Sequence, residues 1–312
     1  MTGTAVLKTV LESPTRLLLG EGSCLLAALI WAFTIAMFRG PIEAFGARTI
    51  NLAKCLIAGV LLGATILILG QGTVLSGARP RDVLFVAVSG LVGLTLGDSA
   101  LFAAVRRLGP YRALLLQTLA PVFTAVFALA WQGERLTGAR LAGMVLTLAG
   151  VALVVAPRGG GGAGPVAARL RSTGIVFGIV AALGQGGGIV LAKQGMGTLP
   201  ALHASFVRLG TAAGGLILLA LLDGTLSRAS RLSRTPRSLS RVVPAAFMGS
   251  YAGIFLMMFG VGHAPAAVAA VLLSTTPVFS LFLDVARGRE RFSVRAAAGT
   301  LLAIAGVGVL TI

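Results

Sequence analysis

The chain has 312 residues, 56% of them hydrophobic and only 11% charged, with a formal net charge of +17. A soluble globular domain carries about 25% charged residues to cover its surface, so composition excludes that class. The basic excess sits between long apolar runs, not on amphipathic helices beside exposed aromatics, and so belongs to loops at lipid headgroups, with no nucleic-acid partner.

In chain order, residues 1–20 form an N-terminal segment containing Lys8, Glu12 and Arg16. It has no long apolar core with a cleavage site and does not read as a cleaved signal peptide. A bilayer core of about 30 Å asks for about 20 apolar residues in a helix. Such runs lie near 22–38, 49–70, 83–105, 113–131 and 138–156. The segment 157–171 follows and opens with Pro157-Arg158-Gly159-Gly160-Gly161-Gly162. It lacks the Lys-Ser or Lys-Thr of a phosphate-cradling loop and reads as a flexible linker. Five further runs lie near 173–192, 202–222, 242–262, 266–285 and 294–312. None shows the alternating ten-residue pattern of a β-barrel. The expected fold is an all-α membrane protein of ten transmembrane helices, divided by the linker into units 21–156 and 172–312. Cys24 and Cys55 both lie in apolar runs and offer neither a disulfide framework nor a metal cluster, and no cofactor is expected. Arg far outnumbers Lys, which suggests a GC-rich bacterial genome and hence a bacterial inner membrane.

The two units repeat each other. Ala120-Pro121-Val122-Phe123 recurs as Thr276-Pro277-Val278-Phe279, an offset of 276 − 120 = 156. The same offset carries Gly133-Glu134-Arg135 to Arg289-Glu290-Arg291, Thr137 to Ser293, Gly143 to Gly299, and Ala149-Gly150-Val151 to Ala305-Gly306-Val307. It also carries Gly93 and Gly97 to Gly249 and Gly253. Thr137 and Ser293 are natural N-caps. The paired glycines let a neighbouring backbone approach closely. Pro121 and Pro277 cannot donate to the carbonyls of Gln117 and Leu273, so both helices should kink or break there and supply hinges. Five spans per repeat is an odd number, so the second repeat is inverted in the membrane, an architecture that recurs in transporters.

With Gly97-Asp98, Ala104-Val105-Arg106-Arg107-Leu108-Gly109, Ala120-Pro121-Val122-Phe123 and Gly133-Glu134-Arg135-Leu136-Thr137 in this order, the chain resembles the EamA-type branch of the drug/metabolite transporter superfamily. The resemblance runs from about residue 25 to the C-terminus. It implies a transporter of small metabolites, often amino acids or toxic analogues, working by alternating access. It also implies a basic residue early in the second helix of each repeat, matched here by Lys54 and Arg208, with Lys at the first site a departure from the usual Arg.

Ionisable groups inside spans are costly and mark function by default. Lys54 and Arg208 each lie 23 residues after Trp31 and Gln185 respectively (54 − 31 = 208 − 185). Lys54 lies about 8 Å inside its span and Asp98 about 10 Å, measured from ends on the same side, so an ion pair between them is open. Asp98 could take and release a proton as that pairing changes, which makes it the candidate coupling residue. Arg208 has Ile254 where the first repeat has Asp98, and no acid lies in the spans around it. It either snorkels to the interface, bonds broken-helix carbonyls, or faces a wet cavity and binds an anionic substrate group. Trp31, Gln117, Gln185 and Tyr251 are the candidate lining residues of such a cavity. His263 lies at a span end and reads as an interface residue.

The expected function is a secondary transporter, most simply an exporter, of a small metabolite with a carboxylate or other anionic group, as a monomer or homodimer. A passive channel would need a continuous polar stripe. A scaffold would leave the broken helices and buried charges poorly explained. An enzyme would need a nucleophile–base pair or clustered ligands, and His203 and His263 have no acid beside them in sequence. The loops on the linker side carry seventeen basic residues against seven on the side of the termini. The positive-inside rule therefore puts both termini outside, whereas the family resemblance implies cytoplasmic termini.

Overall fold

A computed structural model describes residues 3–75, 77–132, 137–155, 165–263, 272–289 and 293–310, and the regular elements among them are helical. The first half runs α1 (Gly3–Phe45), α2 (Ala47–Ile68), α3 (Pro80–Ser89), a π-helical stretch Gly90–Asp98, α4 (Ser99–Leu108), α5 (Pro110–Gln117), α6 (Ala120–Gln132) and α7 (Gly138–Val155). The second half runs α8 (Pro165–Gly195), α9 (Ala201–Asp223), α10 (Thr225–Ser233), α11 (Pro236–Ala245), a π-helical stretch Ala246–Ala252, α12 (Gly253–His263), α13 (Thr276–Ala286) and α14 (Val294–Leu310).

The helices overrun two of the expected segments. The segment 1–20 is not separate from the first span, because α1 is one continuous helix from Gly3. Residues 165–171, expected in the linker, open α8. Proline is pre-organised for a first helical turn, and Ala-Ala-Arg-Leu-Arg behind Pro165 continues it readily. The loop after α9 holds the short helix α10 and the start of α11, both rich in arginine. The Gly-rich part of the linker and the Gly133-Glu134-Arg135 and Glu290-Arg291 motif residues lie outside the described residues.

Among the described residues, six helices are long and apolar enough to cross a membrane: Leu18–Phe45, Ala47–Ile68, Pro80–Leu108, Ala168–Ala192, Ala201–Asp223 and Pro236–Met257. Shorter apolar helices occupy Gly138–Val154, Thr276–Ala286 and Val294–Leu310. The fourth expected run fails to form one long helix for a stated reason. Between α5 and α6 the chain turns at Thr118–Leu119, just before Pro121, and Pro277 likewise follows a turn at Ser274–Thr275. Thr137 also behaves as expected, its hydroxyl accepting the Arg140 N–H at 3.2 Å at the start of α7.

The halves interlock through antiparallel pairs of corresponding helices. In α7 and α14, a Cβ on Gly143 would meet the Gly306 carbonyl at 2.7 Å, and one on Gly150 the Gly299 carbonyl at 2.6 Å. These four glycines are two repeat-related pairs, so each helix supplies the gap its counterpart needs. Helices α2 and α9 pair in the same sense, with Arg48 at the start of α2 ion-paired to Asp223 at the end of α9. Further along, a Cβ on Gly63 would meet the Phe206 ring at 3.1 Å. The first helix of each half packs on the third segment of the other. Gly184 and Gly188 of α8 lie against Gly97 and Gly93, where an added Cβ would come to 2.9 Å from each Cα. Gly249 and Gly253 lie against Thr34 and Trp31 of α1, at 2.7 Å from each side chain. Outside this core, large apolar side chains such as Val60, Leu67, Ile68, Leu222 and Val294 stay exposed, as lipid-facing positions do.

Candidate functional site

Both π stretches begin at repeat-related positions, Gly90 and Ala246 (246 − 90 = 156). A π turn bonds residue i to i+5, which widens the helix and strands carbonyls at its borders. Each stretch recruits a side-chain donor from another helix. Asn51 of α2, fully buried, donates Nδ2–H to the Leu94 carbonyl at 2.8 Å and to Ser99 Oγ at 3.0 Å. Trp31 of α1 donates its indole N–H to the Gly249 carbonyl at 2.9 Å. Thr95 ties the first stretch, and Thr211 the end of α3 just before it, to each other's segment: Thr95 Oγ1 donates to Ala212 O of α9 and Thr211 Oγ1 of α9 to Ala87 O of α3, each at 3.1 Å.

Asp98 closes the first π stretch, and there the charges gather. Lys54, one turn after Asn51 on the same face of α2, forms an ion pair and hydrogen bond with Asp98. Lys54 Nζ also sits over the Phe102 ring, 5.4 Å from its centroid. Arg208 of α9 is the third member, within electrostatic reach of both Asp98 and Lys54. The three groups are 7%, 8% and 6% exposed respectively. The Arg208 guanidinium comes from the second half and lies against Gly93 of the first, where an added Cβ would meet Nη2 at 3.2 Å. Its Nε has no hydrogen-bond partner among the described residues.

Depth was underestimated from the apolar runs. The third segment extends to Leu108, so Asp98 lies about 15 Å from that end, and Lys54 about 10 Å from the start of α2. Asp98 therefore lies near the middle of the third segment, Pro80–Leu108. Two cations and one carboxylate sum to +1 in a region where uncompensated charge is costly.

The other candidates separate into groups. Gln185 lies beside the cluster, its backbone N 3.5 Å from a Cβ built on Gly97. Gln117 ends α5 at the helix break, with Oε1 buried and unpartnered. Tyr251 lies in the second π stretch, and Trp31 of α1 bonds to it. The Tyr251 hydroxyl bonds Thr65 Oγ1 at 2.9 Å and its ring stacks on Phe247, so both have structural partners. His203 is buried with Nε2 3.0 Å from the Gln71 carbonyl. The side chain of His263 lies outside the described residues. Among the described residues no three His, Cys, Asp or Glu side chains cluster to hold a metal ion. The residues missed from sequence are Asn51, Thr95 and Thr211. A signal existed for Asn51, an amide inside an apolar run one helical turn before Lys54.

Comparison with known proteins agrees with this architecture. The EamA-like transporter family matches residues 18–156 and again 172–312. A probable terminal-alkyne amino-acid exporter of Streptantibioticus cattleyicolor is 29% identical over 135 residues, 43% of this chain and 44% of that protein. An uncharacterized transporter of Archaeoglobus fulgidus is 25% identical over 286 residues, 92% of this chain and 95% of that one. A solved crystal structure superposes with a TM-score of 0.66 over 94% of this chain and 98% of its own, at 22% identity, which shows a shared fold.

Proposed function

The chain belongs to the EamA-like transporter family, and from that premise we propose that it is a secondary-active exporter of small carboxylate-bearing metabolites, amino acids or related compounds. In this reading ten spans form two inverted five-helix units, 21–156 and 172–312, which move between outward- and inward-open states in a bacterial inner membrane. The observation that carries it is the buried Lys54–Asp98–Arg208 cluster between the halves, with one positive charge in excess and a guanidinium nitrogen lacking a partner. A substrate carboxylate entering there neutralises the excess and occupies the planar donor fork. The exporter of Streptantibioticus cattleyicolor, which handles an amino acid by name, supports the substrate class. Asp98 is the proposed coupling group, releasing Lys54 and taking a proton in one of the two states. The breaks before Pro121 and Pro277 are the proposed hinges. Three charged groups sealed at mid-depth do not suit a passive channel, which needs a wet polar stripe along its length.

The test compares Arg208→Lys with Arg208→Ala, reading initial transport rate per amount of protein in the membrane. Lys offers a point charge without the fork, so a strong loss with Lys and a stronger one with Ala is expected. Wild-type rates with Lys would remove the anion site. The charge asymmetry supports an arginine-rich end in the cytoplasm and termini outside. A cysteine at Thr235 should then resist an impermeant thiol reagent in intact cells, and labelling there reverses the orientation.

A further inference from the structure

A second feature lies away from the buried cluster. At the end of the bundle where α1, α4 and α13 finish and α5 begins, a cavity of about 240 Å³ is lined by Arg39, Arg106, Arg107, Arg112 and Arg289, with Asp284 in its wall. Gly109 shapes the floor: its φ of 84° folds the chain directly from α4 into α5 and brings Arg106, Arg107 and Arg112 around one turn. Asp284 is 4% exposed and its Oδ2 accepts the Tyr111 N–H at 3.3 Å. The carboxylate is thus engaged with the α5 backbone. Among the described residues no carboxylate ion-pairs with Arg106, Arg107 or Arg289, and Arg39 is shared with Glu43 at 3.0 Å. Leaving Arg112 out of the count, four guanidiniums against Asp284 and Glu43 leave an excess of two positive charges at this cavity among the described residues (4 − 2 = 2).

Arg107 is held in place for this role. Its Nη1 donates to the Ala103 carbonyl at 3.0 Å and its guanidinium stacks over Phe177 at 4.6 Å, while Nε is buried with no partner among the described residues. Planar forks converging from four chain segments suit a tetrahedral oxyanion with several acceptor oxygens. The volume lies below the roughly 300–1,000 Å³ of pockets that enclose drug-sized molecules and fits a headgroup-sized anion. Basic pockets between helices at a membrane face bind anionic lipid headgroups.

We propose that this cavity is a phosphate-binding site, taking the phosphodiester of an anionic lipid headgroup or a free phosphate. The full-length protein purified in detergent is scanned for thermal unfolding with short-chain phosphatidylglycerol, with phosphatidylcholine of the same acyl length, with inorganic phosphate, and with chloride at equal ionic strength. A rise of several degrees with phosphatidylglycerol alone assigns a lipid headgroup. A rise with inorganic phosphate as well, absent with chloride, assigns free phosphate. Either rise should vanish in Arg107→Gln/Arg289→Gln and shrink in Arg289→Gln alone, whose exposed side chain is dispensable for folding. The control is Arg231→Gln/Arg237→Gln, on the same arginine-rich end but outside the cavity. No selective rise, a rise indifferent to the cavity variants, or an equal loss in the control would each overturn the site.

Discussion

The two halves share a backbone and differ in their polar residues. Each has a π stretch at the same repeat position, a helix break before the same proline, and glycines that admit the first helix of the other half. At matching repeat positions, the first half has Asn51, Lys54 and Asp98, whereas the second has Ser205, Arg208 and Ile254 (each pair in α2 and α9 offset by 154, and 254 − 98 = 156). Asn51 braces the first stretch and Asp98 neutralises Lys54. Ser205 bonds only within its own helix, to Ala201 O at 2.8 Å, and Ile254 offers Arg208 nothing ionic. Symmetry therefore builds the frame, and its violation leaves one positive charge in excess among the buried groups.

The largest expected effect comes from removing the one carboxylate. Asp98→Ala leaves two buried cations with no acid, and breaking a buried pair in this way costs about 3–5 kcal/mol. The variant should unfold early in a denaturant titration of the purified protein. Asp98→Asn keeps the shape and a polar partner for Lys54. It should abolish gradient-driven accumulation while leaving exchange of substrate across the membrane. Accumulation at the wild-type level would make Asp98 a purely structural residue.

Restoring the symmetry should come next in size. Ile254→Asp supplies the second half with the acid that the first half has, so Arg208 gains a resident anion and loses its vacancy for a substrate. Initial transport should fall at least about tenfold, the factor corresponding to about 1.4 kcal/mol of lost binding, with normal amounts of protein in the membrane. Unchanged transport in Ile254→Asp would show that the asymmetry at 98 and 254 is incidental.

Much of the frame was legible because it is written in single residues with strong local consequences. Pro121 and Pro277 announce their helix breaks, the 156-residue offset announces the repeat, and the depths of Lys54 and Asp98 left their pairing open. The π stretches were not legible. Glycines occur in nearly every span, and Pro244 just before the second stretch signals a kink and not a π turn, which depends on tertiary donors such as Asn51 and Trp31 to satisfy its carbonyls. The closeness of Arg208 to Asp98 was hidden for a similar reason, since it follows from α9 packing on the first π stretch and not from any spacing along the chain. Apolar-run limits also ended the third segment too early, because Arg106 and Arg107 interrupt the hydropathy while the helix continues to Leu108.

The smallest contrast lies in how the two π stretches are braced. Asn51 donates two hydrogen bonds from a fully buried position within its own half. Trp31, half-buried in α1, makes one, to the stretch of the other half. Asn51→Leu removes both donated bonds, leaves the Leu94 carbonyl unsatisfied, and should cost about 1–3 kcal/mol. Trp31→Phe keeps most of the ring's packing and loses one bond, for about 0.5–1.5 kcal/mol. Thermal scans of the two variants at one scan rate should therefore rank Asn51→Leu below Trp31→Phe. The reverse order would mean that the second stretch, which carries no charge, is the more heavily constrained of the two. The extra residue in each helix would then serve packing, and the link between the first π stretch and the charged cluster would fall away.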